Sequence, residues 1–252
     1  ADRDADVGEG SLASSQRSSS GADDREVQLL IAEVKAGLAA ARLVHNVDRS
    51  EDKLIEQLLK ESLAIRTKPP PDYSLMAQTE NSLGMLKMKK RLLKDAEAHL
   101  TRSLTLRQRH LSSPNDPELA QSHVSLGNLY TEMNRHADAL DHHTKAEEIY
   151  SIALSPEHPK CAHALEGQAR ALNNLGRIEE ARTKLGRAIT ILGELQQQDT
   201  SKELFCKELV AARSMEATLA RRTENREHLK SVAKKAVLLN RITEATWAEA
   251  SS

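Results

Sequence analysis

Small residues recur along this chain at nearly constant intervals, and this repeat limits the possible folds more than any other feature. Three glycine or alanine residues stand 43 and then 42 positions apart, and each is followed by an alanine 12 positions later. The pairs are Gly84 and Ala96, Gly127 and Ala139, and Ala169 and Ala181. Small side chains let two helices approach closely, and periods of roughly 20 to 50 residues are typical of solenoids. The spacing therefore predicts three successive helix pairs within residues 72–193.

The amino-acid composition favours an all-α chain. Aromatic residues make up 2% of the 252 positions. The sequence is instead rich in Ala, Leu, Glu, Lys and Arg, which are strong helix formers. A β-sandwich of this length would contain more Val, Ile, Thr and aromatic residues, because these side chains suit a pleated surface.

Helix starts and stops fall at corresponding places in the repeats. Pro117 and Pro159 each open a unit in the first helical turn, where the missing N–H costs nothing. Asn134 and Gly176 stand 42 positions apart and both tolerate the left-handed conformation that ends a helix. Arg91 occupies the equivalent position in the first repeat, so we expect an irregular turn there.

The two ends of the chain differ from the three repeats. Residues 1–25 contain mainly Asp, Gly and Ser, which predicts a disordered or extended tail. Residues 26–68 predict a degenerate helical pair, which a run of prolines at 69–71 ends. Residues 200–248 predict a C-terminal helical pair that caps the solenoid, with Trp247 closing its apolar face.

The repeated pattern resembles tetratricopeptide repeats (TPRs). The shared features are Leu-Gly in the first helix, at 83–84 and 126–127, and Ala-rich second helices. The 42-residue step and the Asp-Pro and His-Pro starts resemble the longer repeats of kinesin light chains. This resemblance implies a right-handed α-solenoid of antiparallel helix pairs, a TPR-like superhelix. Its repeats are expected at about 72–110, 115–152 and 157–193, and the resemblance implies a scaffold that binds proteins.

Charge balance limits the partners that we expect. The chain has 36 Lys and Arg against 37 Asp and Glu, so nucleic acid is not expected as the main partner. Two local basic runs, within 87–94 and 221–235, indicate either an acidic protein partner or ordinary solvated helix surfaces. No stretch approaches the roughly 20 apolar residues of a membrane span. Cys161 and Cys206 show no metal-ligand spacing and are interpreted as reduced thiols.

No motif for catalysis or cofactor binding is present in the sequence. A phosphate-binding glycine loop, a zinc-protease HExxH motif and a nucleophile elbow are all missing, so we expect no enzyme, cofactor or metal. His142 and His143 are adjacent, and adjacent helical residues point to different sides, which argues against one metal site. Together with His136 they are interpreted as polar residues on exposed helix faces.

The TPR resemblance also implies where a partner would bind. In that family the first helix of each unit lines the concave groove. The positions carried over are Gln78, Asn81, Gln121, Asn128, Arg170, Asn173 and Asn174. Amide side chains can pair with the backbone of an extended peptide, and an arginine can hold a carboxylate with two hydrogen bonds. The same residues would also suit ordinary solvated positions.

One particular partner is disfavoured by this resemblance. The family's carboxylate clamp, which holds the C-termini of chaperones, requires Lys and then Asn on the first full helix. This chain has Asn81 and Met85 at those positions. A chaperone C-terminus is therefore not the expected ligand.

Two functions remain open, with a third further behind. The first is a structural subunit of a larger assembly, and the second is an adaptor that reversibly binds an extended or acidic protein segment. An RNA-binding helical repeat or an enzyme is the more distant alternative. Reduced cysteines indicate an intracellular compartment. Ala1 at the start and the Ser-rich segment 11–20 favour an organelle interior, the mitochondrion after removal of a presequence, with the cytoplasm as the alternative.

Overall fold

Helices account for all the regular secondary structure in the described part of the chain. The computed structural model describes residues 10–45, 50–69, 71–198, 210–227, 230 and 234. The expected all-α fold is confirmed. The helices are α1 (Gly10–His45), α2 (Asp52–Arg66), α3 (Tyr73–Lys89), α4 (Leu93–His110), α5 (Pro117–Glu132), α6 (His136–Ala153), α7 (Pro159–Asn174), α8 (Ile178–Gln198) and α9 (residues 210–227).

The helices form antiparallel pairs within two separate units. In the first unit, Ala1–Pro114, α1 packs on α2, α3 packs on α4, and α2 lies against α3. In the second unit, Asn115–Ser252, α5 packs on α6, α7 packs on α8, and α6 lies against α7. Short turns join α3 to α4, α5 to α6 and α7 to α8. The third repeat is longer than expected, because α8 continues to Gln198.

The turns inside the three repeats share one backbone geometry. Arg91, Asn134 and Gly176 have positive φ angles of 62°, 59° and 77°. In each turn the next residue donates its N–H to a carbonyl five positions back. These bonds are Leu92 to Lys87 at 2.9 Å, Arg135 to Tyr130 at 2.8 Å and Arg177 to Leu172 at 2.9 Å. The expected irregular turn at Arg91 is therefore wrong: the closing hydrogen bonds hold the arginine in the left-handed conformation despite its Cβ.

Helix starts depend on side chains that satisfy free backbone N–H groups. Asp116, just before Pro117, accepts a hydrogen bond from the Glu118 N–H at 2.8 Å. His158 accepts one from the Lys160 N–H through Nδ1 at 3.1 Å. Each cap fixes where the first helix of a repeat begins, and so fixes which of its faces meets the neighbouring helices.

The ends of the chain differ in part from the sequence expectation. Helix α1 begins at Gly10, although residues 1–25 were expected to be disordered or extended. Extending an existing helix costs less than starting one, which explains how a polar segment joins α1. Residues 1–9 lie outside the described residues. So does most of the predicted pair 200–248, including Cys206 and Trp247. Within the described ranges, no helix is long and apolar enough to span a membrane.

Candidate protein-binding surface

The two predicted groove residues of the first unit have different accessibility. Gln78 is exposed on α3, beside a cavity of about 170 Å³ between α1 and α3. Asn81 is buried, and its Nδ2 lies 3.7 Å from the Met85 Sδ. The Asn81 Oδ1 has no hydrogen-bond partner among the described residues. Of these two amides, therefore, only that of Gln78 is open to a ligand.

Two predicted groove residues of the second unit bind each other across helices. Asn128 on α5 accepts a hydrogen bond from the Arg170 guanidinium on α7 at 2.7 Å. Asn173 on α7 accepts one from Arg222 on α9. We call these four residues the amide–arginine row. It links α5, α7 and α9, which are the successive first helices of this unit.

The remaining predicted positions of the second unit are also engaged. The Gln121 Oε1 accepts a hydrogen bond from the Tyr150 hydroxyl at 3.2 Å. The Asn174 Nδ2 lies 3.5 Å from the His136 Nδ1. Arg222 was expected only as part of a basic run. Its place in the row could not be read from the sequence, because the 42-residue register was not traceable beyond residue 193.

The arginines of this row form no ion pair with a carboxylate of the described residues. Arg170 and Arg222 are both exposed, and their hydrogen-bond partners in the described structure are neutral amide oxygens. By contrast, Arg177 pairs with Glu180 at 2.6 Å. Guanidinium groups bind carboxylates in a planar, two-bond geometry. The row is therefore suited to an acidic group.

The basic run within 87–94 is partly neutralised inside the first unit. Lys87 and Lys90 bind the Glu56 carboxylate at 2.9 and 2.7 Å, and Lys60 reaches it at 2.9 Å. Hydrogen bonds from Lys87, then Lys90 and Lys60, hold the pKa of Glu56 far below its ordinary value. Part of this run therefore ties α2 to α3, which leaves less of it for a partner.

Comparison with known proteins identifies the central repeats. A family model described as the tetratricopeptide repeat matches residues 75–152. Residues 75–152 are similar to TPRs. No curated protein matches the chain in sequence.

Solved structures share the fold at low sequence identity. The crystal structure of BtubC (BKLC) from P. vanneervenii is 13% identical, with a TM-score of 0.63, over 78% of this chain and 83% of that one. A Podosopora anserina protein with nearly identical TPR-like repeats, described as a kinesin light chain, is 18% identical. Its TM-score is 0.59, over 81% of this chain and 95% of that one. The expected kinesin-light-chain-like TPR solenoid fold is confirmed, and TPR folds of this kind typically serve as protein-binding scaffolds.

His143 lies in the core of the TPR units and not on an exposed face, so that expectation was wrong. It is fully buried at the position that Leu100 and Leu185 occupy in the other repeats. A Cβ added at Gly127 or Gly167 would lie 2.7 or 2.5 Å from the His143 ring. Backbone on both sides therefore encloses the imidazole, and no ligand can reach it.

The enclosed imidazole of His143 is held neutral. Neither ring nitrogen has a hydrogen-bond partner among the described residues. Burial, followed by the positive charge of Arg170 and the neighbouring His163 and His142, lowers the pKa of His143 to about 3.

Adjacent His142 faces the other side of α6 and meets His123 of α5. Their Nδ1 atoms are 2.9 Å apart. Burial, followed by the proximity of His142, lowers the pKa of His123 to about 4. Burial likewise lowers the pKa of His142. In the described residues, no group of three or more His, Cys, Asp or Glu side chains is arranged to hold a metal ion.

The corresponding pair in the preceding repeat is Glu80 and His99, 43 positions earlier in both cases. The Glu80 carboxylate is buried, and it lies 2.6 Å from the His99 Nδ1 and 3.2 Å from an Arg102 nitrogen. Burial opposes its ionisation, but the bonds from His99 and Arg102 outweigh burial and lower the pKa of Glu80. Both pairs join the first helix of a repeat to its second helix.

Cys161 lies in the core of the second unit. The free thiol is fully buried, and its Sγ lies 3.2 Å from the Ser155 carbonyl oxygen. Burial, followed by the charge of Glu147, raises its pKa to about 11. A protonated, enclosed thiol is a packing residue and not a nucleophile.

Proposed function

We propose that this chain is a non-catalytic protein-binding scaffold that serves as a structural subunit of a larger assembly. The proposal rests mainly on one observation: polar side chains of the predicted groove already form hydrogen bonds within the chain. The amide oxygens of Gln121, Asn128 and Asn173 accept hydrogen bonds from other helices of the same unit. An exchanging peptide would have to compete for these oxygens, so each new bond would add little. A permanent neighbour on the outer faces meets no such competition.

The groups with shifted pKa values support the non-catalytic part of the proposal. A catalytic acid or base needs access to substrate and a pKa near the working pH. His143, with a pKa of about 3, is enclosed, and His123, with a pKa of about 4, is buried against His142. Cys161 is buried and protonated. Each of these groups packs between helices of the second unit.

The test is the behaviour of the native protein after gentle isolation from its source. A structural subunit elutes from size-exclusion chromatography within one large particle, at fixed stoichiometry, and stays there after tenfold dilution. A protein that elutes alone, or whose partners exchange on dilution, contradicts the subunit assignment and favours the adaptor.

The alternative function is an adaptor for an acidic, extended protein segment. It is favoured by the exposed guanidinium groups of Arg170 and Arg222, whose hydrogen-bond partners among the described residues are amide oxygens. In this case a fluorescent poly-glutamate peptide binds the wild type, and Arg170→Gln weakens the binding at least tenfold. Arg177→Gln is the matched control, because that guanidinium is already paired with Glu180. Equal binding by both variants excludes the row as the peptide site.

A further inference from the structure

The outer face of α1 carries large apolar side chains that no described part of the chain covers. Five of them lie at positions i, i+3, i+4, i+7 and i+11, which places them on one side of the helix. They are Val27, Leu30, Ile31, Val34 and Leu38. The stripe spans about 17 Å at 1.5 Å per residue. A contiguous row of exposed, large apolar side chains indicates an interaction surface.

Equivalent hydrogen bonds show how α1 corresponds to α3. Ser62 on α2 donates its hydroxyl to the Ala32 carbonyl at 2.8 Å. Ser103 on α4 donates its hydroxyl to the Ala77 carbonyl at 2.7 Å. Ala32 and Ala77 are therefore equivalent, 45 positions apart. The same step relates Val34 to Thr79 and Leu38 to Leu83.

In α3, the equivalent positions are covered by the second helix of the preceding pair. Thr79 and Leu83 are each 1% exposed. Arg66 at the end of α2 donates a hydrogen bond to the Thr79 hydroxyl at 2.7 Å. Leu83 shares a hydrophobic cluster with Ile55 and Leu59 of α2.

At the matching positions of α1, no described residue provides such cover. Val34 is 69% exposed and Leu38 is 43% exposed. The stripe on α1 is thus the face against which the second helix of a preceding pair packs elsewhere in this unit. Its natural occupant is another helix.

The charges beside the stripe indicate the chemistry of that helix. On one edge, Lys35 is already paired with Glu61 at 2.6 Å. On the other edge, Glu26 and Glu33 stand seven positions apart, are exposed, and make no ion pair with a described residue. Glu33 is attracted by the Arg66 guanidinium at the end of α2, so Glu26 is the carboxylate on this edge that no described group balances. The charge on this edge is therefore negative.

We propose that this face of α1 binds an amphipathic, basic α-helix of a partner protein. The partner helix presents apolar residues to the stripe and Lys or Arg residues, about seven apart, to Glu26 and Glu33. A second copy of α1 fits less well. In an antiparallel pair of α1 helices, the two glutamate edges meet each other, so the carboxylates would repel. In a parallel pair, the glutamate edge of one helix meets the Lys35 edge of the other, and Lys35 is already paired with Glu61. The proposal rests on the scaffold function but uses a surface separate from the amide–arginine row.

Two synthetic helical peptides test the proposal against the full chain. Both carry Leu at positions i, i+4, i+7 and i+11, with either Lys or Glu along one edge. We expect the lysine peptide to bind with micromolar affinity in fluorescence anisotropy, and the glutamate peptide to bind at least tenfold more weakly. Val34→Asp should reduce binding at least tenfold. Ile152→Asp, at a site that is 68% exposed on α6, should leave it unchanged.

Three results would overturn the proposal. Equal binding of the two peptides removes the acidic edge as a determinant, and equal binding by Val34→Asp removes the stripe. A wild-type dimer that Val34→Asp converts to a monomer, in analytical ultracentrifugation, assigns the face to a second copy. If the peptide experiment fails but the native protein elutes within a large particle, the helix-binding proposal is wrong and the scaffold function is not contradicted. If the native protein elutes alone, the subunit function itself is contradicted.

Discussion

Replacing His143 by leucine should stabilise the second unit, and more strongly in acid. The imidazole occupies a leucine position of the repeat, is fully buried, and has no hydrogen-bond partner for either nitrogen among the described residues. Each unsatisfied buried polar group costs about 1–3 kcal/mol. Part of the gain is offset by the imperfect fit of a branched side chain, about 1–2 kcal/mol. We expect a net gain of about 1 kcal/mol at pH 8.

The pH dependence follows from the lowered pKa. In the unfolded chain a histidine has a pKa of about 6.5, whereas the pKa of folded His143 is about 3. As the pH falls below 6.5, protons bind His143 in the unfolded chain before they bind it in the folded chain. The contribution of this residue to the free energy of unfolding is therefore fully present above pH 6.5 and is lost between pH 6.5 and 3. Each pH unit in this window is worth about 1.4 kcal/mol, so the wild type loses about 2 kcal/mol by pH 5 through this residue. His143→Leu should avoid that loss and exceed the wild type by about 3 kcal/mol at pH 5.

Amide hydrogen exchange of α5, α6 and α7 is the suitable assay. The chain forms two compact units, so one denaturation curve would mix two transitions. Comparing variant and wild type at the same pH cancels the intrinsic exchange rate and the contributions of His123 and His142. An equal gain at pH 8 and pH 5 would refute the reasoning, because it would mean that His143 is protonated in the folded protein.

Three further substitutions test other contacts by amide hydrogen exchange of the helices that pack around each site. Gly167→Ala places a Cβ 2.5 Å from the His143 ring and should lower the free energy of unfolding by about 2 kcal/mol. In a chain that already carries His143→Ala, the same change should cost much less. If the effects of the two substitutions simply add, the ring is not enclosed by Gly167. Arg91→Gly should gain about 1 kcal/mol by relieving the left-handed strain, and a loss of stability would argue against that strain. His99→Ala should lower the free energy of unfolding by about 2 kcal/mol, because the buried Glu80 carboxylate loses its hydrogen bond with His99. Unchanged stability would mean that this bond contributes nothing.

The helix pairs were predictable because small residues determine how closely two helices approach. Gly84 admits Leu100 so closely that a Cβ would lie 2.5 Å from it. A position with so little space accepts only a very small side chain. The interval between such small residues therefore gives the length of the repeat. The left-handed turns at Asn134 and Gly176 were predictable for the same reason, since few residues tolerate that backbone.

The side-chain partners were not predictable, because they depend on residues from more than one repeat. The burial of His143 follows from glycine on both neighbouring first helices, and one of these, Gly167, lies in the following repeat. The Asn128–Arg170 bond joins residues 42 positions apart, and either side chain alone reads as an ordinary polar residue. At Arg91 the hydrogen bonds that close the turn stabilise a left-handed backbone that arginine rarely adopts. The groove assignment from the TPR resemblance stays a prediction.

Native mass spectrometry of the particle isolated from its source tests the central claim most directly. A scaffold subunit gives a single mass that corresponds to this chain plus a fixed number of neighbours. Activation of the ion should release those neighbours in constant ratio across preparations. The mass of the chain alone, with no bound protein under the same gentle conditions, would contradict the assignment of this chain as a structural subunit.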